Sequence, residues 1–305
     1  MAAHVARRRF LQGCLAASAG SLVATIGPTA ARASEPIERP GPAMFKFSLA
    51  AYSYRDLLSG KKQEWQMADF VRECARLGLE GAELTSYYFP AELTREDLIG
   101  IKKLCFELGL DVSGTAVGND FGHPEGEMRR RQIDLVKRWI DHAEVLGAPV
   151  IRVFAGHVQK ESTPEQAHGL MVAGLEECCD HAGKHGVFLA LENHGGPTAT
   201  AAGLLALVRD VQSPWFGVNV DSGNFHSGDV YAELAQIAPY ALNVQVKVTV
   251  TGEDKRKQPT DYARLASILR GVNYRGYIVL EYEESGDPRT ECPGHLARLR
   301  EAFAS

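Results

Sequence analysis

The sequence lacks several features that would assign it to a class at once. Its 305 residues include 6 cysteines, none in a C-x-x-C spacing, so neither a zinc–thiolate site nor a disulfide scaffold is indicated. With Cys14 set aside, Cys74, Cys105, Cys178, Cys179 and Cys292 remain, an odd number. Those in helical apolar patterns read as small core hydrophobes. Basic charge is also short. Lys and Arg number 33 against 38 Asp and Glu, a formal net charge of −5, which speaks against a protein that lives on nucleic acid. With 45% hydrophobic and 8% aromatic residues the composition is ordinary globular, so disordered and collagenous classes fall away. The length admits one or two domains, and about 250 residues suffices for a single α/β barrel.

Residues 1–33 read as a targeting segment. Arg7-Arg8-Arg9-Phe10-Leu11 is followed by a small-residue apolar stretch from Leu15 to Ile26, then by Ala31-Arg32-Ala33 ahead of Ser34, an A-x-A cleavage pattern. The apolar stretch falls short of the ~18–20 residues of a spanning helix. The Arg-Arg-x-Phe-Leu core resembles a twin-arginine export signal, which implies a periplasmic protein and membrane contact through that signal only. Cys14 precedes most of the apolar stretch, the wrong side for lipid attachment. Removing the segment's four arginines leaves 29 basic residues against 38 acidic ones, a net −9. Residues 34–43 are then a Pro-rich linker with no reason to pack.

From residue 44 to 305, apolar runs alternate with amphipathic helical patterns. The strand candidates are Phe45–Ala51, Gly81–Leu84, Asp111–Val117, Val150–Phe154, Val187–Glu192, Phe216–Asp221, Leu242–Val250 and Tyr277–Tyr282. Several intervening helices close on a glycine, as in Leu146-Gly147 and His185-Gly186, where a left-handed residue ends the helix. Strands separated by helices run parallel with right-handed crossovers. Eight such units predict an α/β fold, a closed (β/α)8 TIM barrel. No G-x-G-x-x-G follows any strand, which removes the phosphate-loop signature of an open doubly wound sheet.

In such a barrel the chemistry sits at the C-terminal ends of the strands. Three strands place a carboxylate there after an apolar stretch: Glu192, Asp221 and Glu281. The seventh offers Gln245 and Lys247 on one face, since residues two apart point the same way. Carboxylates converging in a barrel mouth repel one another unless they are protonated or bound to a cation. Oxygen donors suit Mn²⁺, Mg²⁺ or Co²⁺ better than a thiolate-seeking ion. Alternatively, each acid pairs with an arginine or caps the following helix. Glu83 and Arg152 are candidates for a polar layer inside the barrel. His157 and His194 follow the fourth and fifth strands, where each is a hydrogen-bond donor, a proton shuttle or a plain loop residue.

Leu-Glu192-Asn-His-Gly-Gly, Asn-Val-Asp221-Ser-Gly-Asn, Val-Gln245-Val-Lys247 and Gly276-Tyr-Ile-Val-Leu-Glu281, in that order, resemble the xylose-isomerase-like sugar isomerase/epimerase superfamily over residues 44–303. The resemblance implies one divalent metal held by Glu192, Asp221, position 245 and Glu281. Mn²⁺ is the foremost choice, with Mg²⁺, Co²⁺ or Zn²⁺ as alternatives. It also implies Glu192 and Glu281 as the proton-transferring pair on a small carbohydrate. Two departures stand out: Gln245 and Asn224 occupy positions where the epimerases carry histidine. His194, Lys247 and His157 join the candidate catalytic residues, Lys247 either holding a substrate oxygen or pairing with Glu283.

The expected activity is isomerisation or epimerisation of a free keto-sugar through an enediolate. Loss of a β-substituent after the same proton abstraction would instead make a lyase or dehydratase. A non-catalytic sugar-binding barrel is the alternative that Gln245 and Asn224 suggest. A nuclease related to endonuclease IV is disfavoured by the acidic charge. No nucleic-acid partner is expected, and assembly into a homo-oligomer is left open.

Overall fold

The computed structural model describes residues 34–60 and 63–304. The targeting segment read from residues 1–33 lies outside the described residues. Eight parallel strands close into a barrel: β1 (Met44–Ala50), β2 (Gly81–Thr85), β3 (Asp111–Ala116), β4 (Val150–Val153), β5 (Phe188–Glu192), β6 (Phe216–Asp221), β7 (Ala241–Lys247) and β8 (Arg275–Glu281). Each pairs with its neighbours in chain order, and β8 closes on β1. Helices α1 (Met67–Arg76), α2 (Arg95–Glu107), α3 (Glu127–Leu146), α4 (Pro164–Lys184), α5 (Ala201–Asp210), α6 (Val230–Ile237), α7 (Tyr262–Gly271) and α8 (Pro288–Ala304) follow the strands in turn. The chain is a (β/α)8 TIM barrel.

Local chemistry sets the helix ends. Thr94 and Thr163 each accept from the backbone three residues on, and Asp97 and Gln166 return the bond, so two otherwise unmet donors are satisfied at each start. Gly147 and Gly186 take φ of +77° and +66°, the left-handed turn that β-carbon-bearing residues resist. The apolar core lies between the strands and the helices, where Leu49, Ile151, Leu175, Leu204 and Ile278 are fully buried. The described cysteines are free and buried. Among the described residues no helix is long and apolar enough to cross a membrane.

Two expectations need correcting. Residues 34–43 do pack. Ser34 Oγ donates to the Phe216 carbonyl at 3.1 Å, Ile37 N to the Pro239 carbonyl at 2.9 Å, and Arg39 to the Ala241 carbonyl. Arg275 in turn holds the Pro42 carbonyl at 2.7 Å. The segment therefore lies against the starts of β6, β7 and β8, where backbone carbonyls need donors. The seventh strand also stops at Lys247 rather than Val250. Thr249–Thr251 leaves the barrel to pair antiparallel with Lys257–Pro259.

Candidate active site

Inside the barrel, below its C-terminal mouth, lies a ring of buried polar side chains. Gln245 Nε2 donates to Glu83 Oε1 at 2.6 Å, and Asn243 Nδ2 donates to Glu83 Oε2 at 2.8 Å. Asn219 Nδ2 donates to Gln245 Oε1 at 2.6 Å, while its own oxygen accepts from Asn243 at 2.9 Å. The strand register slips between Ala82 and Glu83 and between Val218 and Asn219. Such irregularities re-aim side chains, and here they fall beside two members of the ring. Burial pushes the Glu83 carboxyl up, while the bonds from Gln245 and Asn243 and the charge of Arg152 oppose this.

The expected acids stand one layer higher. Glu192, Asp221 and Glu281 close β5, β6 and β8, and all are buried. Arg152, from β4, sets its Nε 2.7 Å from Glu192 Oε2, and Asn224 donates to Glu192 Oε1 at 2.8 Å. Glu281 lies beside Lys247 across the β8–β7 pairing. The Lys247 ammonium is 2.8 Å from Glu283, 3.4 Å from Asp221 Oδ2 and 3.8 Å from Glu281. It also donates to Asn224 Oδ1 at 2.8 Å. Of the two roles considered for Lys247, the pair with Glu283 is formed.

The electrostatics follow from burial. Desolvation pushes Glu192 up to about 8, with Arg152 pulling the other way and Asp221 reinforcing the rise. Asp221 and Glu281 are pushed up by the same burial, each opposed chiefly by Lys247. Burial works against the charges of Lys247 and Arg152, but it is outweighed by the carboxylates around Lys247 and, for Arg152, by Glu192, Tyr87 and Glu281 together. Glu83, Glu192, Asp221, Glu281 and Glu283 outnumber the two cations, Arg152 and Lys247, and the four buried carboxyls are pushed toward their neutral forms.

Side chains rather than loop backbone finish the strand ends. Asn193 donates to the Asp221 carbonyl and accepts from the Asp221 N–H, both at 2.9 Å. Asn119 does the same for Phe154, at 2.8 and 3.0 Å. Ser222 Oγ accepts from the Lys247 N–H, and Ser53 Oγ from the Tyr282 N–H, each at 2.9 Å. These clips hold the carriers of Asp221, Lys247 and Glu281 in line. They escaped the sequence reading because each depends on a neighbour in the next strand.

The remaining candidates divide. His194 is exposed at the rim, its ring 4.4 Å from that of Phe154, over which the Arg152 guanidinium also lies at 4.1 Å. His157 is exposed and bound through Nδ1 to Asp120 at 3.1 Å, which ties it to the loop after β3. Arg152 pairs with Glu192 and not with Glu83, so the polar layer expected of Glu83 and Arg152 is two layers. Asn224, singled out only as a departure from the family pattern, proves to be the link between Glu192 and Lys247.

A cation suits this set in charge and donor type. Asp221 Oδ2 is buried without a hydrogen-bond partner, and the donors are oxygens, which hard divalent ions prefer. The oxygens of Glu192, Asp221 and Glu281 do not all come within 4.8 Å of one another, with the Lys247 ammonium among them. Gln245, the fourth expected ligand, has its amide engaged in the ring below, Oε1 accepting from Asn219 and Nε2 donating to Glu83.

Residues 71–302 match the family described as the xylose isomerase-like TIM barrel. The chain belongs to that family. Its relatives include the L-ribulose-5-phosphate 3-epimerase UlaE of Shigella flexneri, 24% identical over 226 residues, or 68% of this chain and 80% of that protein. The enzyme of the same name from Salmonella typhimurium is 23% identical over 234 residues, covering 71% and 82%. Among solved structures, L-ribulose 3-epimerase superposes with a TM-score of 0.72 at 17% identity, covering 86% of this chain and 95% of that one. The Escherichia coli 3-keto-D-glucoside 4-epimerase YcjR gives 0.66 at 17% identity, covering 85% and 99%. The two relatives named are sugar epimerases, and the structural likenesses establish the shared fold.

Proposed function

We propose that this family member is an exported isomerase or epimerase of a free keto-sugar or related carbohydrate, moving a proton on the carbon beside the carbonyl. The observation that carries this reading is the grouping of Asp221 and Glu281 around the Lys247 ammonium at the C-terminal mouth, with Glu192 joined to it through Asn224. Glu192 and Glu281 stand on strands three apart around the barrel. A planar enediolate lying between them would meet one carboxylate on each side, one to take the proton and the other to return it. Lys247 Nζ and the Arg152 guanidinium are placed to hold the substrate oxygen on which negative charge develops. His194 at the rim offers a hydrogen bond to a hydroxyl further out. A divalent ion, with Mn²⁺ the best match, would be held by Glu192, Asp221 and Glu281 and would polarise the substrate carbonyl.

An uncharged substrate is favoured by the same acids, since carboxyl groups here outnumber the cations that a phosphate entering this layer would need. The Arg-Arg-x-Phe-Leu motif of the N-terminus agrees, because it implies a periplasmic setting away from cytosolic sugar phosphates.

The test is proton exchange. Keto-hexoses, keto-pentoses and 3-keto-glycosides are incubated with the protein and Mn²⁺ in D₂O and followed by NMR. One deuterium beside the carbonyl together with an epimer or isomer is the expected result, abolished in Glu192→Gln and Glu281→Gln. An unsaturated product would make the chain a dehydratase instead. Sugar binding without exchange across the panel would overturn the catalytic reading.

A further inference from the structure

Away from the mouth, near the C-terminal ends of α3 and α4, four side chains form a second cluster. His181 and His185 are four residues apart and so share one face of α4 and its end, their ring centroids 4.4 Å apart. Asp141 and Glu144 face them from α3. Asp141 Oδ1 is 2.7 Å from His181 Nε2 and 3.6 Å from His185 Nε2. Among the described residues, Asp141, His181 and His185 form the group whose three ligand atoms all lie within 4.8 Å of one another.

We propose that Asp141, His181 and His185 bind a divalent transition-metal ion of the Zn²⁺, Co²⁺ or Cu²⁺ class, bridging α3 to α4 on the outside of the barrel. Ligands about 2.1 Å from a tetrahedral ion stand about 3.4 Å apart, and the two Asp141–imidazole separations bracket that value. Two imidazoles and one carboxylate form a borderline set that favours these ions over Mg²⁺ or Ca²⁺.

The fourth residue supplies orientation. His185 Nδ1 lies 2.8 Å from Glu144 Oε2, an arrangement in which the ring donates its Nδ1 proton and presents the Nε2 lone pair inward. A carboxylate behind a ligating histidine is the usual support of such rings. In that tautomer the lone pair faces Asp141 Oδ1 at 3.6 Å, a placement that a cation between the two atoms would satisfy. Asp141 and Glu144 are about half exposed, which leaves open positions for water and makes the site reachable from solvent. It lies at the end of the barrel where β4 and β5 begin, so it holds helices together and takes no part in the sugar chemistry.

The test uses the full chain at pH 8. Metal-stripped protein is dialysed against Zn²⁺ and its content measured, and a Cu²⁺-loaded sample is examined by electron paramagnetic resonance. The expected result is one equivalent whose spectrum shows coupling to two nitrogens, a signature that the all-oxygen mouth cannot give. His181→Ala and His185→Ala lose that equivalent, Glu144→Gln weakens it 10–100-fold, and Asp221→Asn leaves it intact. Circular dichroism confirms that the surface variants fold. Unchanged stoichiometry in the two histidine variants, or no nitrogen-coupled copper in the parent, overturns the site and leaves the cluster as proton-mediated ion pairs.

Discussion

Arg152 and Glu192 form a buried ion pair, Nε to Oε2 at 2.7 Å, with both side chains less than a tenth exposed. The arginine is the chief positive group on this glutamate, and the glutamate offsets the cost of burying the arginine. Removing one member of such a pair leaves an uncompensated charge. Arg152→Met is expected to cost about 3–5 kcal/mol of stability, measured by urea denaturation. Adding Glu192→Gln to it should restore part of the loss, and a double variant whose loss equals the sum of the two single losses would show that the pair is not energetically coupled.

Lys247 is expected to have two opposite effects. Its ammonium lies 3.4 and 3.8 Å from Asp221 and Glu281, so it competes with any metal ion for the same carboxylates. Lys247→Met should raise divalent-ion affinity while lowering turnover by ~10²-fold or more. Equilibrium dialysis and D₂O exchange read the two effects separately. Weaker ion binding would mean that the lysine supports the ligand set.

Gln245 and Asp221 are expected to separate cleanly. Gln245→Leu removes the donor to Glu83 and the acceptor for Asn219 inside a buried ring, a loss of about 2–5 kcal/mol in stability. Its metal content should match the parent's, whereas Asp221→Asn should lose metal with little change in the denaturation midpoint. Metal lost from Gln245→Leu protein that is still folded would restore position 245 to the ligand set.

Acid stability should depend on Glu73. Hydrogen bonds from Arg76 hold its carboxyl below the ordinary range, burial opposes this, and the Tyr54 hydroxyl adds a third bond. A carboxyl depressed in the folded state stabilises the fold above its unfolded value, about 4.3. That contribution disappears as pH falls through the folded value. Glu73→Gln should therefore lower stability at pH 7 and shrink the loss between pH 7 and about pH 3. An equal acid loss in both proteins would assign the acid sensitivity elsewhere.

Much of this architecture was legible in the residues. Phe216–Asp221 and Glu127–Leu146 occupy the spans that their patterns indicate, because a continuous apolar run and a 3.6-residue period each admit one good answer. The acids at the ends of β5, β6 and β8 were equally visible, since each closes an apolar run. What the sequence hid was partnership. The run to Val250 continues in character past Lys247, and nothing local announces that Thr249–Thr251 turns to Lys257–Pro259. Gln245 and Lys247 share a face, but only the strands around them decide that one joins Glu83 below and the other the carboxylates above. Ser34–Pro42 read as unpacked because its donors meet carbonyls about 200 residues further along.

The amide and hydroxyl clips at the strand ends have a consequence for how this barrel tolerates change. Asn193 supplies one donor and one acceptor to Asp221, as a further peptide unit would. The top rung of the sheet is thus closed by a side chain, so the segments above can grow, shrink or be exchanged with little disturbance to the aspartate beneath. New specificity can then be grafted onto the rim while the carboxylate floor keeps its alignment.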